Sequence, residues 1–435
     1  MEQPNIIYIH SHDTGRYIQP YGHPVETPNY QRLADEGVLF RKAFCAAPTC
    51  SPSRAALLTG QWAHSAGMLG LAHRGFALND NTQHLAHTLQ KNGYQTVLAG
   101  MQHVTTHNRI AELGFADVIG NASVAEQAAA DFLRTRPAQP FFLDIGFTET
   151  HRRGRHFHPD GEVSPNDGKY GAPPPPLPDV PVIRKDMEEY WECVRLLDRK
   201  IGVVLDALDE TGQAENTIVV CTTDHGLAFP QMKCSLTDHG IGVLLIVRYP
   251  HALAGGRVSD ALVSQIDLFP TLCEWARMDP PEWLQGKSLV PHLTGSENTV
   301  NDQIFAEVTY HAAYEPMRAV RTDQYKYIRR YDDRYGPVLP NCDDSPSKDY
   351  LLEHGWRTLA PANEQLYDLV FDPHETNNLV GNTDYDHPLN EMRGRLEKWM
   401  QETNDPLLKG PVLPPPGAKF NDPDGLSPTE PVQEA

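Results

Sequence analysis

With 435 residues, 40% of them hydrophobic and 22% charged, the chain is long enough for one large domain with a smaller companion, and its composition excludes a fibre or a wholly disordered polymer. A formal net charge of −20 argues against a nucleic-acid backbone as partner, yet it leaves room for a cationic pocket that takes a small anion. Seven scattered cysteines with no CxxC pair point to neither a disulfide framework nor structural zinc. The first apolar run, Ile6 to Ile9, is too short to cross a membrane and follows no leader-like basic segment. The expectation is a cytoplasmic protein with no membrane partner.

Ile6 to Ile9 reads as a buried strand, and Tyr30 to Glu36 as the start of a following helix. Ala55–Leu58 reads as helix, Gln95–Ala99 as strand, Ala125–Arg134 as helix and Phe141–Gly146 as strand. Met187 to Asp209 carries apolar residues at helical spacing, and Thr217–Thr222 and Val243–Val247 are strands. Short, wholly apolar strands alternating with helices predict an α/β fold with a mostly parallel sheet covered on both faces. Gly168 to Pro181 holds four consecutive prolines, Pro173 to Pro176, and reads as extended linker or surface loop. From about Asn301 the texture changes to short antiparallel strands (Ile304–Thr309, Met317–Arg321, Lys326–Arg330) and a terminal helix, about Asn390–Glu402. The expected organisation is a catalytic domain over 1–300, an α+β subdomain over 301–410 and a tail, 411–435, that wraps the surface or is disordered. No internal repeat is visible.

The strongest chemical signal is Cys50-Ser-Pro-Ser-Arg54-Ala-Ala-Leu-Leu-Thr-Gly60. Pro52 and Ser53 suit the first turn of a helix, which puts Cys50 at the N-terminus, where backbone N–H groups and the dipole favour an anion. The segment resembles the signature of the sulfatase family at every defining position. That resemblance implies that Cys50 is oxidised to formylglycine by a formylglycine-generating or sulfatase-maturing enzyme. It further implies that the hydrated aldehyde is the nucleophile and that Arg54 holds the diol and neutralises charge.

Attack by a diol at neutral pH calls for a Lewis acid. Two strands run into polar turns that resemble the family's metal segments: Asn5 to Gly15, with His12-Asp13, and Val219 to Gly226, with Asp224-His225. Both depart from the usual pattern, because a histidine stands at 12 and at 225. Nitrogen ligands favour one divalent ion of the manganese or zinc kind, with calcium the all-oxygen alternative. Asp-His at 224–225 also resembles phosphonate monoester hydrolases of the wider alkaline phosphatase superfamily.

The resemblance extends to other positions. In Gly100-Met-Gln-His103 a methionine replaces the family's lysine, and His103 is expected to hold the diol or relay its proton. His151 is a candidate acid for the leaving group, with His156 and His158 in a solvated loop, and Lys233 is a candidate sulfate contact. His73, His239 and Glu307 are candidate substrate-binding residues. The segments around Glu307 and Arg318 resemble heparan N-sulfatases, and Leu366 to Leu379 resembles a family segment that packs rather than reacts. The implied fold is the alkaline phosphatase-like α/β sandwich. The implied reaction is hydrolysis of a small, anionic sulfate ester or sulfamate, and the likeness to heparan N-sulfatases points to a carbohydrate. A phosphonate or phosphodiester hydrolase and a non-catalytic binding protein are the alternatives, and oligomerisation is left open.

Overall fold

The computed structural model describes residues 3–138, 140–158 and 170–435. Its centre is an eight-stranded sheet: β1 (Asn5–Ser11), β2 (Val38–Phe40), β3 (Gln95–Gly100), β4 (Asp117–Ile119), β5 (Phe141–Gly146), β6 (Thr217–Thr223), β7 (Leu245–Arg248) and β8 (Arg257–Ser259). The spatial order is β4-β3-β5-β1-β6-β7-β2-β8. Only β7 runs against its neighbours; every other pairing is parallel. The alternation of side chains across a strand divides β1 between two cores. Ile6 and Tyr8 face one layer with Leu57, Leu85 and Leu89, and Ile7 and Ile9 face another with Tyr30, Leu133, Met187 and Leu197. Both faces are therefore covered, which is why the strands read as continuous apolar runs.

Helices α1 (Pro28–Glu36), α2 (Cys50–Thr59), α3 (Ala125–Arg134), α4 (Pro181–Glu210) and α5 (Asp386–Glu402) follow the predicted segments. α4 begins six residues earlier than its periodicity indicates, because Pro181 occupies the first turn, where a missing N–H costs nothing. α5 likewise accommodates Pro388 in its first turn and starts at Asp386 rather than Asn390. The proline-rich segment lies partly outside the described residues; from Gly171 to Val180 it is not helical. Among the described residues, no helix is long and apolar enough to cross a membrane.

The C-terminal sheet is antiparallel, in the order β9 (Ile304–Tyr310), β10 (Tyr314–Arg321), β11 (Tyr325–Arg330) and β12 (Glu364–Asp368). Phe305, Val320, Tyr327 and Leu366 pack with α5, where the Phe305 and Trp399 rings stack at 4.8 Å. Ile304, Ala306 and Val308 join the core of the central sheet instead. The change of texture near residue 301 thus marks a change of sheet within a continuous apolar interior. The tail wraps the surface: Lys419–Asn421 pairs with Val432–Glu434, and Arg74 donates to Asn421 Oδ1 at 2.8 Å.

Candidate active site

Four neighbouring parallel strands, β3, β5, β1 and β6, end on one side of the sheet, where an α/β fold places its ligand crevice. His103 follows β3, His151 follows β5, His12 and Asp13 follow β1, and Asp224 and His225 follow β6. The register pairs Ser11 with Thr223, so the two acidic segments leave the sheet side by side. Close approach is enforced by glycines: a Cβ on Gly146 would lie 1.8 Å from the Met101 carbonyl oxygen, and one on Gly226 would lie 2.0 Å from that of His239.

α2 brings in the fifth component. Thr49 is extended (φ −138°, ψ 142°), the helix starts at Cys50, and all ten helical residues are buried. Ser53 Oγ donates to the Asp224 carbonyl at 2.6 Å, tying the first turn to the end of β6. One ligand atom from each of His12, Asp13, Cys50, Asp224 and His225 lies within 4.8 Å of all the others.

The cluster has the donor set and the unmet valence of a cation site. His12 Nδ1 lies 3.0 Å from Asp13 Oδ1 and 3.2 Å from Asp224 Oδ2. His225 Nε2 lies 3.3 Å and 3.6 Å from the same two oxygens. Yet His12 Nδ1, Asp13 Oδ1 and His225 Nε2 are buried without a hydrogen bond, an arrangement that is costly unless something else binds there. The contact of His225 Nδ1 with the Gly226 carbonyl at 3.0 Å suits an N–H donor there, which leaves the Nε2 lone pair for the cluster. Asp224 Oδ1 accepts from the backbone N–H groups of Asp13 and His225, both at 2.9 Å, freeing Oδ2 to face the cluster. Asp13 is held in the left-handed region at φ 55°, as are His103, Gln231 and Cys234 nearby. Backbone strain of this kind concentrates at functional sites.

Burial alone would raise both carboxyls. Asp13 is instead held well below the carboxylate range, first by Lys233 and then by His12 and His225. Asp224 is lowered by His12, His225 and Arg54. Burial brings His12 down to about 4, so the imidazole is neutral and available as a ligand. Burial likewise pushes the Cys50 thiol far above its ordinary value, leaving it protonated at neutral pH.

Lys233 is buried, with Nζ 3.3 Å from Asp13 Oδ2 and 3.0 Å from Asp343 Oδ2. His151 is about one-third exposed; its Nε2 lies 4.0 Å from Asp13 Oδ2 and its ring meets that of His12 edge-on at 4.2 Å. His103 lies 6.0 Å from the His12 ring and is kept neutral by burial and by His12. His73 stacks on His103 with an interplanar angle of 8° and shares a 3.0 Å Nδ1–Nε2 contact. Arg54 points beneath the cluster, donating to Asp224 Oδ2 at 3.0 Å, to the Ser11 carbonyl at 2.9 Å and to His10. His156 and His158 are exposed.

The other two expected substrate-binding residues stand outside the ligand cluster. His239 bonds Tyr17 OH at 3.2 Å, stacks on His374 and lines a cavity of about 750 Å³ that Lys233 also borders. Glu307 is a correction: its carboxylate is turned into a separate buried network. Oε1 accepts from His64 N at 3.1 Å and contacts its Nδ1 at 2.9 Å, and Oε2 lies 3.4 Å from Arg318, which also binds Asp405. Burial would raise Glu307, but His64 and Arg318 hold it at about 2. Glu307→Gln should therefore cost about 3 kcal/mol of stability at pH 7 while kcat/KM is retained. A carboxyl with a lowered folded pKa stabilises above its ordinary value of 4.5 and loses that contribution as pH falls towards 2. The stability gap to the variant should close across that window in thermal melts; a constant gap would exclude the charge account.

Sequence reasoning missed three groups. His10 Nε2 meets Asp144 Oδ1 at 2.8 Å, completing a buried Arg54–His10–Asp144 chain. A histidine and an aspartate inside otherwise apolar strands were the available signal. Asp343 reaches Lys233 from the C-terminal part of the chain, and Thr150 donates to the His12 carbonyl at 2.5 Å.

A mostly parallel sheet with this crevice, backed by a four-stranded antiparallel sheet, is the alkaline phosphatase-like fold of a hydrolase. The chain belongs to the sulfatase family, whose model matches residues 4–278, and it is a sulfuric ester hydrolase. A second model, N-sulphoglucosamine sulphohydrolase, C-terminal, matches residues 232–350. The chain is 30% identical to the human N-sulphoglucosamine sulphohydrolase, over 89% of this chain and 88% of that protein. It is 27% identical to an ulvan-active sulfatase of Formosa agariphila, over 93% of this chain and 76% of that one. Among solved structures it resembles BT1596, a 2-O GAG sulfatase (TM-score 0.73, 23% identity, 94% of each chain). It also resembles BT4656 in complex with its substrate D-glucosamine-2-N,6-O-disulfate (TM-score 0.72, 20% identity, 94% of this chain and 99% of that).

Proposed function

We propose that this enzyme is metal-dependent and releases sulfate from a carbohydrate sulfate ester or sulfamate, using formylglycine made from Cys50 by a maturing enzyme. The observation that carries the reading is the set of buried, hydrogen-bond-free ligand atoms of His12, Asp13 and His225 gathered with Asp224 around Cys50. Those four residues would hold one divalent ion, which would supply Lewis acidity to the nucleophile and to a sulfate oxygen. Two imidazoles and two carboxylates favour manganese or zinc over calcium. The hydrated aldehyde supplies a diol, one oxygen for attack on sulfur and a second whose deprotonation releases sulfate. An unmodified, protonated Cys50 has no comparable nucleophilicity.

The chain's own residues complete the reaction. Arg54 fixes Asp224 and balances its charge, and Lys233 offers a cation to the sulfate. Neutral His103, braced by the His73 ring, accepts a proton from the diol, and His151 stands at the open side to protonate the leaving oxygen or nitrogen. The activities of the human and Formosa relatives support a sugar leaving group. So does the adjoining cavity, whose lining includes Trp356, Tyr367, Arg330 and Glu315.

The test compares N-sulfoglucosamine, 4-nitrophenyl sulfate and an aryl phosphonate on one preparation purified without chelators. Sulfate release from the first two, with one equivalent of manganese or zinc, is expected. A higher kcat/KM on the phosphonate would favour a phosphonate hydrolase, the reading that the histidine at 225 supports. Stoichiometric calcium alone would overturn the ligand assignment.

A further inference from the structure

Asp343 stands where an anion-binding enzyme has least use for a carboxylate. Its Oδ2 lies 3.0 Å from Lys233 Nζ, the cation offered to sulfate, and its charge is felt by Asp13, His151 and His311. The loop that presents it is braced on both sides. Asn341 Nδ2 donates to Glu315 Oε2 at 2.8 Å, and buried Lys348 donates to the carbonyls of Leu339 (3.0 Å) and Cys342 (2.8 Å) and to Asp344 Oδ1 (2.9 Å). Among the described residues Asp343 Oδ1 has no hydrogen-bond partner, and the side chain is 21% exposed, so the carboxylate keeps an acceptor with free lone pairs beside Lys233. Asn341 and Cys342, just before it, border the cavity of about 750 Å³ that Lys233 also borders.

We infer that Asp343 is a specificity-determining residue that accepts a hydrogen bond from a hydroxyl or N–H of the leaving group next to the scissile sulfur, and that it disfavours substrates without such a donor. The inference rests on the sugar-sulfate reading above and deepens it. A bound sulfate draws Lys233 towards itself, and the carboxylate that Lys233 had neutralised then needs a donor. A polyhydroxylated or amino-bearing leaving group supplies one; an aryl group does not. Desolvating Asp343 against an aryl ring leaves a buried charge unpaired, which is the stronger form of discrimination. In the resting site the same carboxylate competes with free sulfate for Lys233.

The test measures kcat/KM for N-sulfoglucosamine and for 4-nitrophenyl sulfate, and the inhibition constant of inorganic sulfate, in the wild type, Asp343→Asn and Asp343→Ser. The expected result is a fall of about ten- to a hundredfold in the ratio of sugar to aryl kcat/KM in both variants, carried mainly by the sugar, together with tighter inhibition by sulfate. Equal losses on both substrates, or weaker sulfate inhibition, would show that Asp343 merely positions Lys233 and would overturn the inference while leaving the enzyme's activity as read. A wild type that turns over the aryl sulfate and not the sugar would overturn the inference together with the sugar reading. Thermal midpoints and metal content identify a variant that has failed to fold; Asp343→Ser serves if Asp343→Asn does so, and selectivity unaltered in a folded variant counts against the inference.

Discussion

Cys50→Ala is expected to lower kcat by at least about a thousandfold on every sulfate substrate while leaving the fold and the metal content intact. The reasoning starts from burial. Cys50 is 2% exposed at the first position of a wholly buried helix, and its thiol is held protonated by its surroundings. Alanine fits the same space and keeps the helix, so stability changes little. What disappears is the thiol through which the maturing enzyme can oxidise the β-carbon to an aldehyde, and with it covalent catalysis. Asp13, Asp224 and His225 do not depend on the sulfur for their positions, since backbone N–H groups and Arg54 tie them together at the Asp224 carboxylate, and Thr150 donates to the His12 carbonyl. Residual turnover within tenfold of wild type, measured as sulfate release, would contradict the assigned nucleophile.

Asp13→Asn should strip the metal and reduce kcat/KM by at least about a hundredfold. Asp13 supplies the oxygen nearest to both histidine nitrogens, and its other oxygen partners Lys233. The amide is the informative replacement because asparagine tolerates the left-handed backbone at this position, φ 55°, whereas alanine would add strain to the loss of charge. Removing one negative charge also leaves buried Lys233 with Asp343 as its carboxylate partner. Elemental analysis of the purified variant reads the metal directly; full occupancy would show that Asp13 is not a ligand. Added manganese or zinc at high concentration should restore part of the activity if the remaining three ligands still assemble.

Much of the site was legible because its parts are local. His12-Asp13 and Asp224-His225 each follow an apolar strand without a gap, so a buried strand and the polar turn after it mark a crevice through local pattern alone. Cys50 is legible for the same reason, since the helix that positions it is written in the ten residues from Cys50 to Thr59. The short edge strands Asp117–Ile119 and Arg257–Ser259 were not legible: half-exposed strands of three residues carry too little periodicity. Asp343 was hidden by distance, 110 residues from Lys233, in a loop with no pattern of its own. Glu307 shows the opposite error. Its neighbourhood resembles a family segment, but whether a carboxylate faces a substrate or a buried arginine is decided by packing between β9, β10 and the segment at Asp405, which local sequence does not contain.

Catalysis as proposed depends first on Cys50 carrying the aldehyde. The most direct measurement is the mass of the peptide containing Cys50, taken from protein made in its native host. A loss of about 18 Da relative to the unmodified cysteine, the change from thiol to aldehyde, is the predicted result. A peptide of unmodified mass, from protein that retains sulfate esters without turning them over, would contradict it and leave a binding protein built on a sulfatase fold.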